Sequence, residues 1–248
     1  MSVFLMSPTV NEIEQKNQGY FAQDPVLEDR EGITVVRDDL VPGGTKARVL
    51  PTIMGGIQHE YVYASPVSGY AQVALATVAK QMGKRATIFC AARRERHKLT
   101  NRAAGLGARI VEVPVGYMNV VRKRAQDYCR LHGATLLPFG LDTPEFIAAL
   151  ADIARGLPIE PSEVWTVAGS GVLTRALQQA WPSANFYAIR IGAEPKAGRA
   201  TVMQAPEKFE QDARMPPPFP SCSNYDAKAW RFIKANAKPG ALFWNVAA

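Results

Sequence analysis

The sequence predicts an α/β fold with two parallel-sheet domains, on three observations. Short β-rich segments and amphipathic or alanine-rich segments alternate between residues 32 and 191. Several of the predicted helices end at a glycine, which is a common helix stop. The loops between the segments are short, as they are in sheets whose strands are joined by crossover helices. Such alternation is typical of parallel sheets that carry helices on both faces.

The predicted strands follow from runs of β-branched and aromatic residues. Examples are GITVVRDDL at 32–40, EYVYAS at 60–65, RATIFCA at 85–91 and ARIVEV at 108–113, and two more are expected at 164–168 and 186–191. These residue types favour a pleated, buried surface. MPPPFP at 215–220 is too proline-rich for regular structure and is expected to form a loop.

The predicted helices lie between these strands. They cover residues 70–82, 99–106, 119–131, 143–155 and 170–180. Gly83, Gly133 and Gly156 are expected to end the helices at 70–82, 119–131 and 143–155. Thr143 is expected to cap the helix at 143–155 at its N-terminus. A further helix is expected to start near Lys46, after the turn Pro42-Gly43-Gly44.

Composition limits the classes of protein to which the chain can belong. Of its 248 residues, 47% are hydrophobic, which is enough for a sizeable core, and no apolar run is long enough to span a membrane. The N-terminus shows no export-signal pattern. Cys90, Cys129 and Cys222 are odd in number and widely spaced, so we expect reduced thiols and a cytoplasmic location. The three histidines are scattered, and no metal site is expected.

The positive charge is concentrated in one part of the chain. The net charge is +7, and residues 80–130 contain 13 basic and three acidic side chains, a balance of +10. Such runs usually form a solvated face. The alternative is a surface that binds the phosphates of a nucleic acid. The residues expected to contact the phosphates in that case are Arg93, Arg94, Arg96, Lys98, Arg122, Lys123 and Arg124.

The segment VRDDLVPGGTKAR at 36–48 carries the most specific motif. A lysine fixed at a helix start, near the positive helix end and Arg48, is expected to have a lowered pKa and to act as a nucleophilic amine. The segment resembles the lysine motif of aminocyclopropane-carboxylate deaminases and D-cysteine desulfhydrases. These are pyridoxal-phosphate enzymes of the tryptophan synthase β-like type, also called fold type II. The resemblance implies that Lys46 forms a Schiff base with pyridoxal 5'-phosphate.

Two further segments follow in the order that the family shows. SPVSGYAQ at 65–72 opens a helix, and Ser68 matches a family serine that lies against the cofactor and the substrate carboxylate. Gly69 stands where the family has an asparagine. The glycine-rich loop at 169–171 follows a strand and opens a helix, so its N–H groups suit a phosphate. It resembles the family's phosphate-binding loop, which implies contacts from Gly169, Ser170, Gly171, Val172 and Thr174.

The resemblance covers roughly residues 30–195 and implies a shortened member of the fold. We expect a larger cofactor-binding domain at 1–51 and 151–248, a smaller α/β domain at 52–150, and a homodimer. The residue facing the pyridine nitrogen is commonly neutral in the family, and the matching candidates are Ser221, Cys222 and Ser223. Tyr225 and Asp226 are as well explained by a structural turn.

Three functions remain open. The first is a lyase that deaminates a free amino acid or eliminates a group from it. The second is a lyase that decarboxylates an amino acid attached to DNA, because the chain's compactness resembles small bacteriophage enzymes that act on modified thymidine in DNA. The cytoplasm would then be that of the host. The third is a non-catalytic binding protein that kept the fold. Lys46 argues against the third, whereas Gly69 and Val172 favour it.

Overall fold

Two separate sheets organise the chain. The structure, a computed structural model, describes residues 23–114 and 116–248. The first 22 residues of the predicted larger domain therefore lie outside the described residues. One sheet has six strands and the other has four, and helices cover both faces of each. The α/β class with two parallel sheets is confirmed.

The larger sheet combines segments that are distant in the sequence. Its strand order is β1-β2-β10-β7-β8-β9, in which β1 is antiparallel to β2 and all other pairs are parallel. The strands are β1 Leu27–Arg30, β2 Ile33–Arg37, β7 Glu163–Ala168, β8 Asn185–Arg190, β9 Thr201–Gln204 and β10 Leu242–Asn245. The last strand therefore returns to the centre of the sheet, between β2 and β7.

The smaller sheet comes from one continuous stretch of chain. Its order is β5-β4-β3-β6, and all its pairs are parallel. The strands are β3 Glu60–Ala64, β4 Arg85–Ala91, β5 Arg109–Val113 and β6 Thr135–Leu137. All four lie within residues 52–150, the range proposed for the smaller domain.

Seven described α-helices connect the strands. They are α1 Thr45–Met54, α2 Ala71–Gln81, α3 Lys98–Gly105, α4 Met118–His132, α5 Pro144–Arg155, α6 Val172–Ala180 and α7 Trp230–Asn236. Thr143 caps α5, since its hydroxyl accepts a hydrogen bond from the N–H of Phe146 at 3.2 Å. Gly133 ends α4 with a left-handed φ of 65°, the conformation that favours glycine there. None of the described helices is long and apolar enough to cross a membrane.

One apolar core lies between the two sheets and joins them. It contains buried side chains of α1, α2, α5 and α6, together with residues of both sheets such as Ile88 and Trp244. A second cluster packs α7 on the outer face of the larger sheet, and a third packs α4 on the smaller sheet. The shared core fixes the position of one sheet relative to the other.

Strands β1, β6, β9 and β10 do not appear among the predicted strands. Each has only three or four residues, which is too short to show an alternating pattern. All four residues of β10 are buried. Its place is fixed by pairing with β2 and β7, which are more than 70 residues away in sequence. Such tertiary pairing leaves no local signal.

A buried carboxylate holds the start of α1 in place. Asp38, at the end of β2, has no exposed surface. It accepts hydrogen bonds from the Thr45 hydroxyl at 2.7 Å, from Nε of Arg48 at 2.7 Å and from the indole N–H of Trp244 at 2.8 Å. Burial raises the pKa of Asp38, and the Arg48 guanidinium opposes that effect. The Asp38 carboxylate therefore joins β2, α1 and β10.

Replacing Asp38 with alanine should lower the free energy of unfolding by about 3–5 kcal/mol, because the guanidinium of Arg48 is left buried without its partner. Urea denaturation followed by circular dichroism measures this change. The matched control is Asp152→Ala, which removes an exposed ion pair with Arg155 and should have little effect. Equal losses in the two variants would contradict the role given to Asp38.

Candidate functional site

Lys46 is the second residue of α1 and follows two glycines with left-handed φ angles of 89° and 71°. A Cβ at Gly44 would lie 2.4 Å from the carbonyl oxygen of Val246, so only glycine fits there. The same carbonyl accepts a hydrogen bond from the N–H of Thr45 at 3.0 Å. The helix start that carries Lys46 is thus held directly against the segment after β10.

Lys46 lines a cavity of about 390 Å³, and the residues that form it come from both of the proposed domains. Tyr63, Tyr70 and Phe139 contribute aromatic rings, and most other lining groups are apolar. Its charged lining residues are Lys46, Arg122 and Asp226. A largely apolar wall with a few polar groups is typical of small-molecule sites of this size.

Burial lowers the pKa of Lys46, and the negative charge of Asp226 acts in the opposite direction. The lowered pKa agrees with the sequence-based expectation, but the expected cause involved Arg48. The structure corrects this cause, because the Arg48 guanidinium is bound to Asp38. Loss of water around the ammonium, not repulsion by a neighbouring cation, favours the neutral amine.

Asp226 is fully buried and has an incomplete hydrogen-bond set. Neither carboxylate oxygen has a partner of good geometry among the described residues. Burial raises the pKa of Asp226 well above its usual range, while backbone groups of Val246 and Ala247 and the charge of Lys46 oppose that rise. Buried polar groups are almost always paired in native proteins. The cavity wall therefore presents an acceptor that a bound molecule can satisfy.

The loop at 169–172 forms the wall of a second, smaller recess of about 30 Å³. Ser170, Gly171, Val172 and Leu173 line this recess, and Lys46 lines both it and the larger cavity. The N–H groups at the start of α6 have no acceptor within the helix. Phe146 and Leu150 give the recess an apolar side, and the N–H of Val172 donates to the Ser170 hydroxyl at 3.5 Å. The positive end of α6 lies at the loop, and such a helix end favours an anionic group.

Three of the residues that are expected to contact the phosphate make other contacts in the structure. The N–H of Gly169 donates to the hydroxyl of Tyr225 at 2.8 Å. A Cβ at Gly171 would lie 2.1 Å from the carbonyl oxygen of Lys196, so this glycine makes room for neighbouring backbone. The Thr174 hydroxyl is buried and pairs with that of Thr166 at 2.8 Å. The structure places Thr174 outside both cavities.

Ser68 lies beside the cavity and not in its wall. Its side chain is buried, and its hydroxyl oxygen has no hydrogen-bond partner among the described residues. Pro66, Gly69 and Tyr70 from the same loop do line the cavity. A Cβ at Gly69 would lie 3.2 Å from the Pro66 carbonyl oxygen, a close contact that would require a small shift of the loop.

None of the three predicted partners of the pyridine nitrogen lines the cavity. The Ser221 hydroxyl donates to Asn245, the Cys222 thiol to Asn224, and the Ser223 hydroxyl to Asp212. The cavity is lined instead by Tyr225 and Asp226, which follow Ser223 after one intervening residue, Asn224. The sequence gives little indication that Asp226 belongs to the site, since one acidic residue in a turn is ordinarily exposed.

The seven basic residues have different contacts. Arg122 lines the cavity, whereas Arg96 and Lys123 form ion pairs, each at 2.8 Å, with Glu112 and Asp127. Lys98 donates to the Ser223 hydroxyl at 3.2 Å. The remaining members, which are exposed and make no ion pair with a described residue, are Arg93, Arg94 and Arg124. Their role toward nucleic acid stays a prediction.

Neither a protein-family model nor a curated protein sequence matches the chain. Solved structures do match its fold. The crystal structure of an ACC deaminase homologue is 14% identical, with a TM-score of 0.73, and the match covers 98% of this chain and 95% of that one. A threonine deaminase from T.th. is 13% identical, with a TM-score of 0.66 and coverages of 97% and 98%. O-ureido-L-serine synthase is 16% identical, with a TM-score of 0.66 and coverages of 97% and 92%.

The chain has the tryptophan synthase β-like fold. The predicted fold class is confirmed by these structures, and identities of this size establish the fold alone. In this chain the cavity lies where residues of the two sheets of the fold meet. Lys46, the loop at 169–172 and Asp226 are brought together there from three distant parts of the sequence.

Lys46 should be acetylated by acetic anhydride with a pH midpoint below the ordinary range of a lysine amine, because burial increases the fraction of neutral amine at a given pH. Peptide mass spectrometry across a pH series measures the midpoint. Asp226→Asn removes a charge that raises the pKa of Lys46, so the midpoint should fall. A midpoint within the ordinary range would contradict the assigned burial effect.

Proposed function

We propose that this protein is a pyridoxal-phosphate-dependent lyase that acts on an amino-acid group, with Lys46 as the residue that binds the cofactor covalently. The observation that carries the proposal is the pairing, in one cavity, of a lysine with a lowered pKa and a buried carboxyl group that has no well-aligned hydrogen-bond partner among the described residues. Perturbed titratable groups that converge in a cleft are typical of catalytic sites.

The three parts of the cofactor have matching groups in the cavity. Lys46 supplies an amine for the aldehyde, and the recess at Ser170–Leu173 suits the phosphate. Asp226 supplies an acceptor for a protonated ring nitrogen. Once bound, the cofactor supplies an electron sink for carbanion chemistry at the substrate α-carbon.

Asp226 differs in charge from the neutral partner expected from the sequence. A buried carboxylate stabilises a proton on a nearby ring nitrogen, and the positively charged ring draws electrons more strongly than a neutral one. A cationic ring in turn offsets the cost of keeping Asp226 ionised inside the protein. The carboxylate without a partner is thus explained by the ligand that it would hold.

Lys46 is also the natural group to move a proton at the α-carbon. Its lowered pKa leaves a larger fraction of the amine neutral near neutral pH, as a general base requires. The apolar and aromatic cavity walls exclude water and strengthen electrostatic interactions within the site. The similar structures, two of which are named as deaminases or their homologues, support an amino-acid substrate and favour deamination or elimination.

Borohydride treatment of the protein with pyridoxal phosphate should fix the cofactor to Lys46 and to no other lysine in stoichiometric amount, because this amine is the one that lines both cavities. Mass spectrometry of peptides locates the label. Lys46→Ala should abolish the label, and Lys123→Ala should leave it intact. A stoichiometric label on another lysine would rule out the assignment.

A lyase acting on an amino acid attached to DNA is the second candidate. It is supported by the exposed Arg93, Arg94 and Arg124, which make no ion pair with a described residue. Phosphates of a duplex are natural partners for such side chains. Decarboxylation belongs to this candidate. Carbon dioxide release from amino-acid-modified DNA, lost in Lys46→Ala, would support it.

Duplex DNA should bind with an affinity that falls with salt by a log–log slope of roughly −0.9 per phosphate contact. Fluorescence anisotropy across a salt series measures this slope, and Arg94→Glu/Arg124→Glu should make it shallower. Arg155→Glu/Arg231→Glu makes the same change in net charge on α5 and α7 and should alter it less. Equal effects of the two pairs, or no binding at low salt, would leave the free amino acid as the substrate.

A further inference from the structure

Arg122 is a charged residue of the cavity that the cofactor does not account for. The proposed cofactor uses Lys46, the recess at Ser170–Leu173 and Asp226. The remaining charged group among the described lining residues is Arg122. A cation that faces a small-molecule cavity selects for an anionic group on the ligand.

The position of Arg122 is set by α4 and by an aromatic contact. Met118 and Arg122 are four residues apart on α4, so both side chains lie on one helix face, and both line the cavity. The guanidinium lies 4.7 Å from the ring centre of Phe139. Burial raises the pKa of Tyr63 to about 12, and the positive charge of Arg122 opposes this rise. The guanidinium of Arg122 therefore lies close enough to the buried Tyr63 hydroxyl to affect its pKa.

Arg122 and Arg124 on α4 make no ion pair with a described residue, and of the two only Arg122 lines the cavity. Lys123 and Arg96 each contact a carboxylate at 2.8 Å. Arg122 has an aromatic ring beneath it and no ion pair with a described residue. A stacked guanidinium is held in place by the ring while its N–H groups stay free for a planar anion. The geometry therefore suits a bidentate contact with a carboxylate or a phosphate.

We propose that Arg122 binds an anionic group at the end of the substrate side chain, so that the substrate is an amino acid with a side-chain carboxylate or phosphate. This inference rests on the proposed function. Lys46 is the less exposed of the two cations and receives the amino end, whereas the exposed Arg122 receives the side-chain end. Tyr70 and Ala71, at the N-terminus of α2, also line the cavity and are placed to receive the α-carboxylate.

The test uses pairs of amino acids that differ in the charge of the side chain. Glutamate and glutamine form one pair, and O-phosphoserine and serine form the other, each as both enantiomers. The protein loaded with pyridoxal phosphate is titrated with each compound, and the change in cofactor absorbance gives a dissociation constant. The variants are Arg122→Gln and, as the matched control, Arg124→Gln, which changes the same charge on the same helix outside the cavity.

The parent protein should bind the anionic member of at least one pair more tightly than the neutral member. Arg122→Gln should weaken that binding by roughly tenfold or more, the usual scale for a hydrogen bond to a charged group, and should leave the neutral member unchanged. Arg124→Gln should change neither. The pair that responds identifies carboxylate or phosphate as the group bound.

Two results would overturn the inference. If Arg122→Gln weakens the anionic and neutral members equally, Arg122 binds the α-carboxylate instead. If the parent shows no preference for the anionic members, Arg122 has no role in selecting the substrate. These results can be told apart from a failure of the proposed function itself. In that case the protein would not show the absorbance of a cofactor bound to Lys46 before any amino acid is added.

Discussion

The buried Asp38 carboxylate determines the geometry of the site. It accepts hydrogen bonds from Thr45, Arg48 and Trp244, which belong to the first and second turns of α1 and to the central strand β10. Lys46 lies between two residues of this network, so its backbone has little freedom. A reactive lysine must be held in one place, and here a hydrogen-bonded carboxylate, not apolar packing alone, provides the constraint.

The same network explains why residues distant in sequence share one cavity. Trp244 fixes β10, and the segment after β10 contacts Gly44 and lies beside Asp226. The lysine and the carboxylate without a partner are therefore both positioned by the final strand. Burial lowers the pKa of Lys46 and raises the pKa of Asp226, while the attraction between the two groups opposes both shifts.

The features that the sequence predicts are local ones. Lys46 and the loop at 169–171 were found because a glycine turn before a lysine, and a glycine loop before a helix, are short motifs with a direct physical meaning. Strands such as 85–91 were found because a buried strand is apolar along its length.

What the sequence could not reveal depends on packing between distant segments. Asp226 is part of the site because the segment after β10 passes beside it, and Arg122 because its face of α4 is turned toward the cavity. The family resemblance points to Ser221, Cys222 and Ser223 and not to Asp226, but the side chains of these three are hydrogen-bonded to residues that do not line the cavity.

A crystal structure of the protein grown with pyridoxal phosphate tests the central claim most directly. Continuous electron density should run from Nζ of Lys46 to the cofactor, with the phosphate in the recess at Ser170–Leu173 and the ring nitrogen within hydrogen-bond distance of Asp226. Density for the cofactor at another lysine, or a ring nitrogen that faces away from Asp226, would contradict the claim.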